Sequence, residues 1–135
     1  MDEDKDEYLS ELTKLWFERH NKNKNLPNLP DIKETMKEGR WYRIDIPGTE
    51  LSVLSLNTLY YNTRSKIKAE YEDALQLTWL RKQLSEANET HRFILVEHIY
   101  ETATYWNRAW ENWNKDAFWN DYINILQTYK DKIVF

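Results

Sequence analysis

The chain has 135 residues, a net charge of −4 and an isoelectric point near 5.4. That is one small domain with a moderate core, and it carries no polyanion-binding signature that would draw a nucleic acid or an acidic membrane. Cysteine is absent, which removes disulfides and thiolate metal sites, and seven Trp in a 15% aromatic content make ring packing a large part of the core.

Residues 6–20 read as an amphipathic helix with Tyr8, Leu9, Leu12, Leu15 and Trp16 on one face. "NKNKNLPNLP" (21–30) is a polar, proline-punctuated loop. A short helix over 31–38 follows, capped by Asp31 and stopped at Gly39. "RWYRIDIPGTELSVLSLN" then gives two strands around the turn Pro47-Gly48. The first, 40–46, suits a sheet edge. The second, 51–57, is apolar at Leu51, Val53, Leu54 and Leu56 and suits the interior.

Asp73 caps a helix over 74–87, whose Leu77, Trp79, Leu80 and Leu84 form a broad apolar face. "HRFILVEHI" (91–99) is a strand, 92–97 at its centre, and a helix over roughly 115–129 leads to a last strand at 131–135. This order predicts an α/β fold with about three parallel central strands (51–57, 92–97, 131–135), an edge strand (40–46) and flanking helices. Residues 1–30 form an N-terminal helix and polar loop, and 31–135 the α/β domain. The last strand has barely begun at Phe135, so the sequence reads as cut rather than completed.

No apolar run reaches the roughly 18 residues that cross a bilayer. The first residues, "MDEDKDEYLSEL", are acidic where a secretory leader is basic and then apolar. The compartment is left open. Glycine occurs only at 39 and 48, and tight loops around phosphate or metal depend on it, so a phosphate-cradling loop is not expected.

Ligands of open α/β sheets bind beyond the carboxyl ends of the strands. Asn57 and His98 stand at that edge. A neutral imidazole fixed by a strand end is a good metal ligand, and the alternative is a histidine that only hydrogen-bonds a neighbouring loop. His20 reads as a helix C-terminal cap and His91, at the amino edge, as surface. No Ser/His/Asp triad and no clustered metal-ligand motif suggests itself. Glu97 and His98 alternate to opposite faces of the strand. The tryptophans Trp106, Trp110, Trp113 and Trp119 form either a ring-rich core or a sugar- or lipid-contacting surface.

From about residue 35 onward the ordered segments "TMKEGRWYRIDIPGTELSVLSLNTLYYN", "LQLTWLRKQL", "FILVEHI" and "FWNDYINILQTYKDKIVF" resemble the acid sphingomyelinase-like phosphodiesterases, within the calcineurin-like metallophosphoesterases. The family runs through a "SLNT" strand, a "Q-x-x-WL-x-x-L" helix, a "GHIPPG" strand end and a "N-Y-x-x-I-x-x-x-Y" helix leading to "GHTH". The resemblance implies a partial metallophosphoesterase fold and two metal ions, commonly zinc, at the sheet edge. It implies His98 as one metal ligand, matching the "GHIPPG" histidine.

Glu97 replaces the glycine before it, and Ile99-Tyr100-Glu101-Thr102 replaces "IPPG". The Asp-x-His, Gly-Asn-His and Gly-His-x-His segments that hold the remaining ligands do not occur. The expectation is therefore a fragment of a metal-dependent phosphodiesterase, inactive alone, whose complete form acts on a phosphodiester or phospholipid. The alternative is a non-catalytic binding or scaffold module derived from the same fold. The resemblance further implies a secreted or lysosomal protein, and an incomplete parallel sheet implies self-association through its exposed edge.

Overall fold

The computed structural model describes residues 3–19, 26–58, 69–97 and 116–134. His20, His98, Trp106, Trp110, Trp113 and Phe135 lie outside the described residues. The elements are α1 (Glu3–Thr13), which runs directly into a π-helix (Lys14–Arg19), α2 (Leu29–Gly39), β1 (Tyr42–Asp45) and β2 (Leu51–Ser55), then α3 (Ala69–Glu86), β3 (Arg92–Val96), α4 (Asp116–Thr128), a 3₁₀ turn (Lys130–Lys132) and β4 (Ile133–Val134).

The strands form one sheet in the order β1-β2-β3-β4. β1 pairs antiparallel with β2, Asp45 opposite Ser52 and Arg43 opposite Leu54, while β2, β3 and β4 run parallel. The sheet is thus the α/β arrangement that the sequence predicts, three parallel strands and an antiparallel edge strand. The hairpin turns at Gly48, whose φ of +74° is a conformation that a side chain disfavours.

The alternation of β2 sets the two layers. Ser52, Leu54 and Leu56 point to one face, where the two leucines join Leu77, Leu80 and Leu84 of α3, Phe93 of β3, Tyr122 and Ile125 of α4, and Ile133 of β4 in one buried cluster. Burying each of these large side chains removes about 1.5–3 kcal/mol worth of apolar surface from water. On the opposite face of β1, Tyr42 and Ile44 pack against Phe17, Ile32 and Met36.

Several expected boundaries shift, each for a physical reason. The N-terminal helix buries Leu9, Thr13 and Phe17, while Tyr8, Leu15 and Trp16 stay exposed. The π-turns over Lys14–Arg19 carry more residues per turn than an α-helix, so they rotate the apolar stripe away from Leu15 and Trp16 and bring Phe17 inward. Asp31 is not the cap of α2. The helix starts two residues earlier after Asn28, with Pro30 in its first turn, and Asp31 lies inside it.

Nor does Gly39 stop α2. Arg40 takes the left-handed conformation at φ 67°, and its N–H bonds the carbonyls of Thr35 and Met36. Gly39 is needed for a different reason: a Cβ there would fall 1.9 Å from a ring carbon of Trp41, which is fully buried. Asp73 lies within α3, which begins four residues before it at Ala69 and not after it. The last strand narrows from 131–135 to two residues, because Lys130–Lys132 coil into the 3₁₀ turn and Lys132 Nζ bonds the carbonyls of Leu84 and Ala87 at the end of α3. No helix among the described residues is long and apolar enough to cross a membrane.

Candidate functional site

The carboxyl ends of β2 and β3 lie side by side, and Leu56 N–H donates to the Val96 carbonyl at 2.9 Å just beyond the paired strands. Here the chain of β2 is clasped from α3. The fully buried Gln76 accepts a hydrogen bond from the Asn57 N–H at 2.6 Å and donates back to the Asn57 carbonyl at 3.2 Å. The Asn57 side chain donates to the Gly39 carbonyl at 3.0 Å. One residue past β3, the carboxylate of Glu97 accepts a hydrogen bond from the hydroxyl of buried Tyr122 on α4.

Glu97, the residue that stands where the resembling family has glycine, is therefore anchored to the core by Tyr122. His98, the expected metal ligand, follows it immediately and lies outside the described residues. Among the described residues no three His, Asp or Glu side chains converge as a metal site. Among the described residues this edge offers one amide bonded to Gly39 and one carboxylate held by Tyr122, a donor set that does not by itself fit a two-metal centre.

The amino ends of the same strands hold a larger polar assembly. Asp45 accepts from Ser52 Oγ at 2.5 Å, from Arg43 Nε at 2.6 Å and from Asn28 Nδ2 at 2.6 Å. Arg43 also donates to Gln83 of α3 at 2.9 Å and lies over the Phe93 ring, 5.4 Å from its centroid. Ser52 Oγ is 2.7 Å from His91 Nε2, and the His91 ring leans on Phe93 at 4.7 Å. His91 is thus half-buried and bonded, not the surface residue that its place ahead of the strand predicts.

Burial pushes the Asp45 carboxyl up, but the hydrogen bonds from Ser52, Arg43 and Asn28, together with the Arg43 charge, outweigh it and hold the pKa below the ordinary carboxylate value. An ionised carboxylate only accepts. The one proton of Ser52 therefore goes to Asp45, and His91 must present Nε2–H to Ser52.

Asp45, Ser52 and His91 do come together, contrary to the expectation that no such trio exists. Their order nevertheless removes nucleophilic catalysis. In a hydrolytic triad the histidine sits between acid and serine and takes the serine proton. Here a fully buried serine sits in the middle, with its proton committed to the acid.

A signal for this trio was present in the sequence. A turn at Pro47-Gly48 sets Asp45 opposite Ser52, and a serine inside the apolar run "LSVLSL" needs a polar partner once buried.

No family model matches the chain. The endopolyphosphatase of Neurospora crassa is 27% identical to it, over 76% of this chain and 14% of the relative. The chain thus spans about one-seventh of the length of that relative. This likeness weakly supports a phosphoesterase-type hydrolase relationship and does not reach the sphingomyelinase-like subtype.

Proposed function

We propose that this chain is part of the catalytic fold of a metal-dependent hydrolase of phosphoesters or phosphoanhydrides. The observation that carries this reading is the parallel run β2-α3-β3-α4-β4, which brings the carboxyl ends of β2 and β3 together, with His98 two residues past β3 in the sequence. The order of the "SLNT", "LTWLRKQL" and "FILVEHI" segments and the match to a fungal endopolyphosphatase support the same class.

In this reading His98 is a metal ligand and zinc the metal; the chemistry it would supply when bound is polarisation of a phosphoryl oxygen and activation of a water. The chain's own described residues fix the edge. Gln76 and Gly39 immobilise Asn57, and Tyr122 immobilises Glu97. The substrate is a phosphodiester, such as a phospholipid headgroup, or, following the name of the Neurospora relative, the interior of a phosphate chain. Both present a non-terminal phosphorus with an oxygen leaving group.

One histidine does not make a two-metal centre, so the 135-residue chain by itself turns over neither substrate. The test is an assay of this chain with zinc or manganese on bis(p-nitrophenyl) phosphate and on inorganic polyphosphate. Tight zinc binding with turnover sinks the claim of inactivity. In a chain that also carries Asp-x-His and Gly-His-x-His segments, His98→Ala lowers bound metal and turnover together, by about 10- to 100-fold. Unchanged metal content there sinks the assignment of His98.

A second reading, a non-catalytic module that kept the fold, is favoured by Glu97. A carboxylate tied to Tyr122 stands where close backbone approach to a metal requires glycine. Coding DNA on both sides of this segment separates the two. Ligand segments in frame support the hydrolase, and their absence beside a start and a stop codon supports the module.

A further inference from the structure

The net charge of −4 conceals a local reversal between the first two helical segments. A hollow of about 260 Å³ there is lined by Lys14, Lys33 and Lys37, and an adjoining one of about 410 Å³ shares Lys33 and adds Arg19. The acidic residue lining both is Glu18. Lys33 and Lys37 are one helical turn apart on α2, so their ammonium groups rise from one side of the trough.

The cations are engaged at present by the protein's own carboxylates. Glu11 lies 2.7 Å from Lys14 and 3.7 Å from Arg19, and Glu18 lies 2.5 Å from Lys33. All of these groups are at the surface, where an ion pair is worth little and exchanges readily for another anion. Glu18 therefore occupies a position that a ligand's negative group would take, while Glu11, which lines neither hollow, draws Lys14 and Arg19 from outside the trough.

We propose that this trough binds a linear polyphosphate chain. The choice of ligand class rests on the phosphate-hydrolase reading above, whereas the trough itself rests on its own charges. A single phosphate reaches one or two of the four cations. A chain with one negative charge on each phosphate spans them all, and multivalency then wins over the two internal glutamates. The lining also speaks against a nucleic acid, since its ring, Phe17, is 6% exposed and offers no face on which a base can stack.

The experiment titrates the 135-residue chain with inorganic polyphosphate of several tens of units in EDTA, so that binding is read without hydrolysis. The wild type binds, with affinity falling steeply as salt rises. Lys33→Gln with Lys37→Gln weakens binding about tenfold or more and flattens the salt dependence. Glu18→Gln tightens it, a gain that a misfolded variant cannot mimic. The surface pair Lys82→Gln with Lys130→Gln, of equal charge change, has little effect.

Four outcomes overturn the proposal: no binding by the wild type, equal loss from the Lys82/Lys130 pair, no response to Glu18→Gln, or equally tight binding of a single-stranded oligonucleotide of the same charge. Binding without any turnover leaves the trough standing even if the hydrolase reading falls.

Discussion

The two ends of the same parallel strands carry opposite kinds of polar architecture. At the amino end Asn28, Arg43, Asp45, Ser52 and His91 form a connected network across α2, β1, β2 and the start of β3. At the carboxyl end Gln76 holds Asn57, whose side chain reaches Gly39, and Tyr122 holds Glu97, each fixing a strand exit against a helix. By residue type the amino end looks the more reactive, with a serine, a histidine and an aspartate in contact. Its hydrogen-bond directions make it a structural tie, and the plainer carboxyl end is where α/β topology places a ligand. Function thus follows from who donates to whom, not from an inventory of side chains.

The largest expected effect lies at the carboxyl end. Gly39→Ala would push a methyl group to 1.9 Å from the Trp41 ring, and neither the fully buried indole nor the helix end can yield without moving the Gly39 carbonyl that holds Asn57. We expect a loss of at least about 2 kcal/mol in denaturant unfolding, typical of overpacking. A change under half that size would mean that the strand exit is more plastic than its contacts imply.

Next comes Gln76→Leu, which is close in volume but removes both bonds to the Asn57 backbone. A partly buried N–H and C=O lose their partners together, so a loss of about 2 kcal/mol is expected. Protection of the Asn57 amide from hydrogen exchange should fall with it. Retained protection would show that another group, not the Gln76 clasp, holds β2 in place.

At the amino end Asp45→Asn should cost less, about 1 kcal/mol at neutral pH, because Asp45 is partly exposed and solvent screens its pairing with Arg43. The pH dependence carries the sign. The folded carboxyl titrates below its ordinary value of 3.8, so its contribution is complete above that value and is lost as pH falls through the lowered one. Asp45→Asn should remove that part of the acid limb of stability against pH. An identical acid limb in wild type and variant would rule out Asp45 as its source.

Much of the parallel sheet was legible because its signals are local and repeated. "LSVLSL" and "RFILV" are short, mostly apolar runs rich in branched residues, and "LQLTWLRKQL" holds helical spacing, so existence and order followed directly. The misread parts depend on partners distant in the chain. Nothing near Gly39 marks it as a packing position, since the indole that excludes a side chain arrives with the turn of Arg40. Leu15 and Trp16 are exposed because they fall in a π-helical segment, where the α-helical period does not hold. His91 looked like surface because its position ahead of β3 says nothing of the serine that parallel register sets beside it. For the metal site the sequence supplied a position, His98, and the described residues neither add to it nor remove it.

The smallest energetic effect tests the comparison most directly. Asp45 accepts only, Ser52 has one proton, and that proton is drawn to the carboxylate at 2.5 Å, so His91 must carry hydrogen on Nε2 to complete the contact at 2.7 Å. Nitrogen-15 chemical shifts of the neutral His91 ring should therefore report the Nε2–H tautomer. Ser52→Ala should release that preference while costing only about 1 kcal/mol, since one buried hydroxyl is lost along with its own desolvation penalty. The opposite tautomer, with Nε2 bare, would mean that Ser52 donates to His91 and not to Asp45. A serine polarised by an imidazole base would then stand at the amino end, and the structural reading of that network would have to be given up.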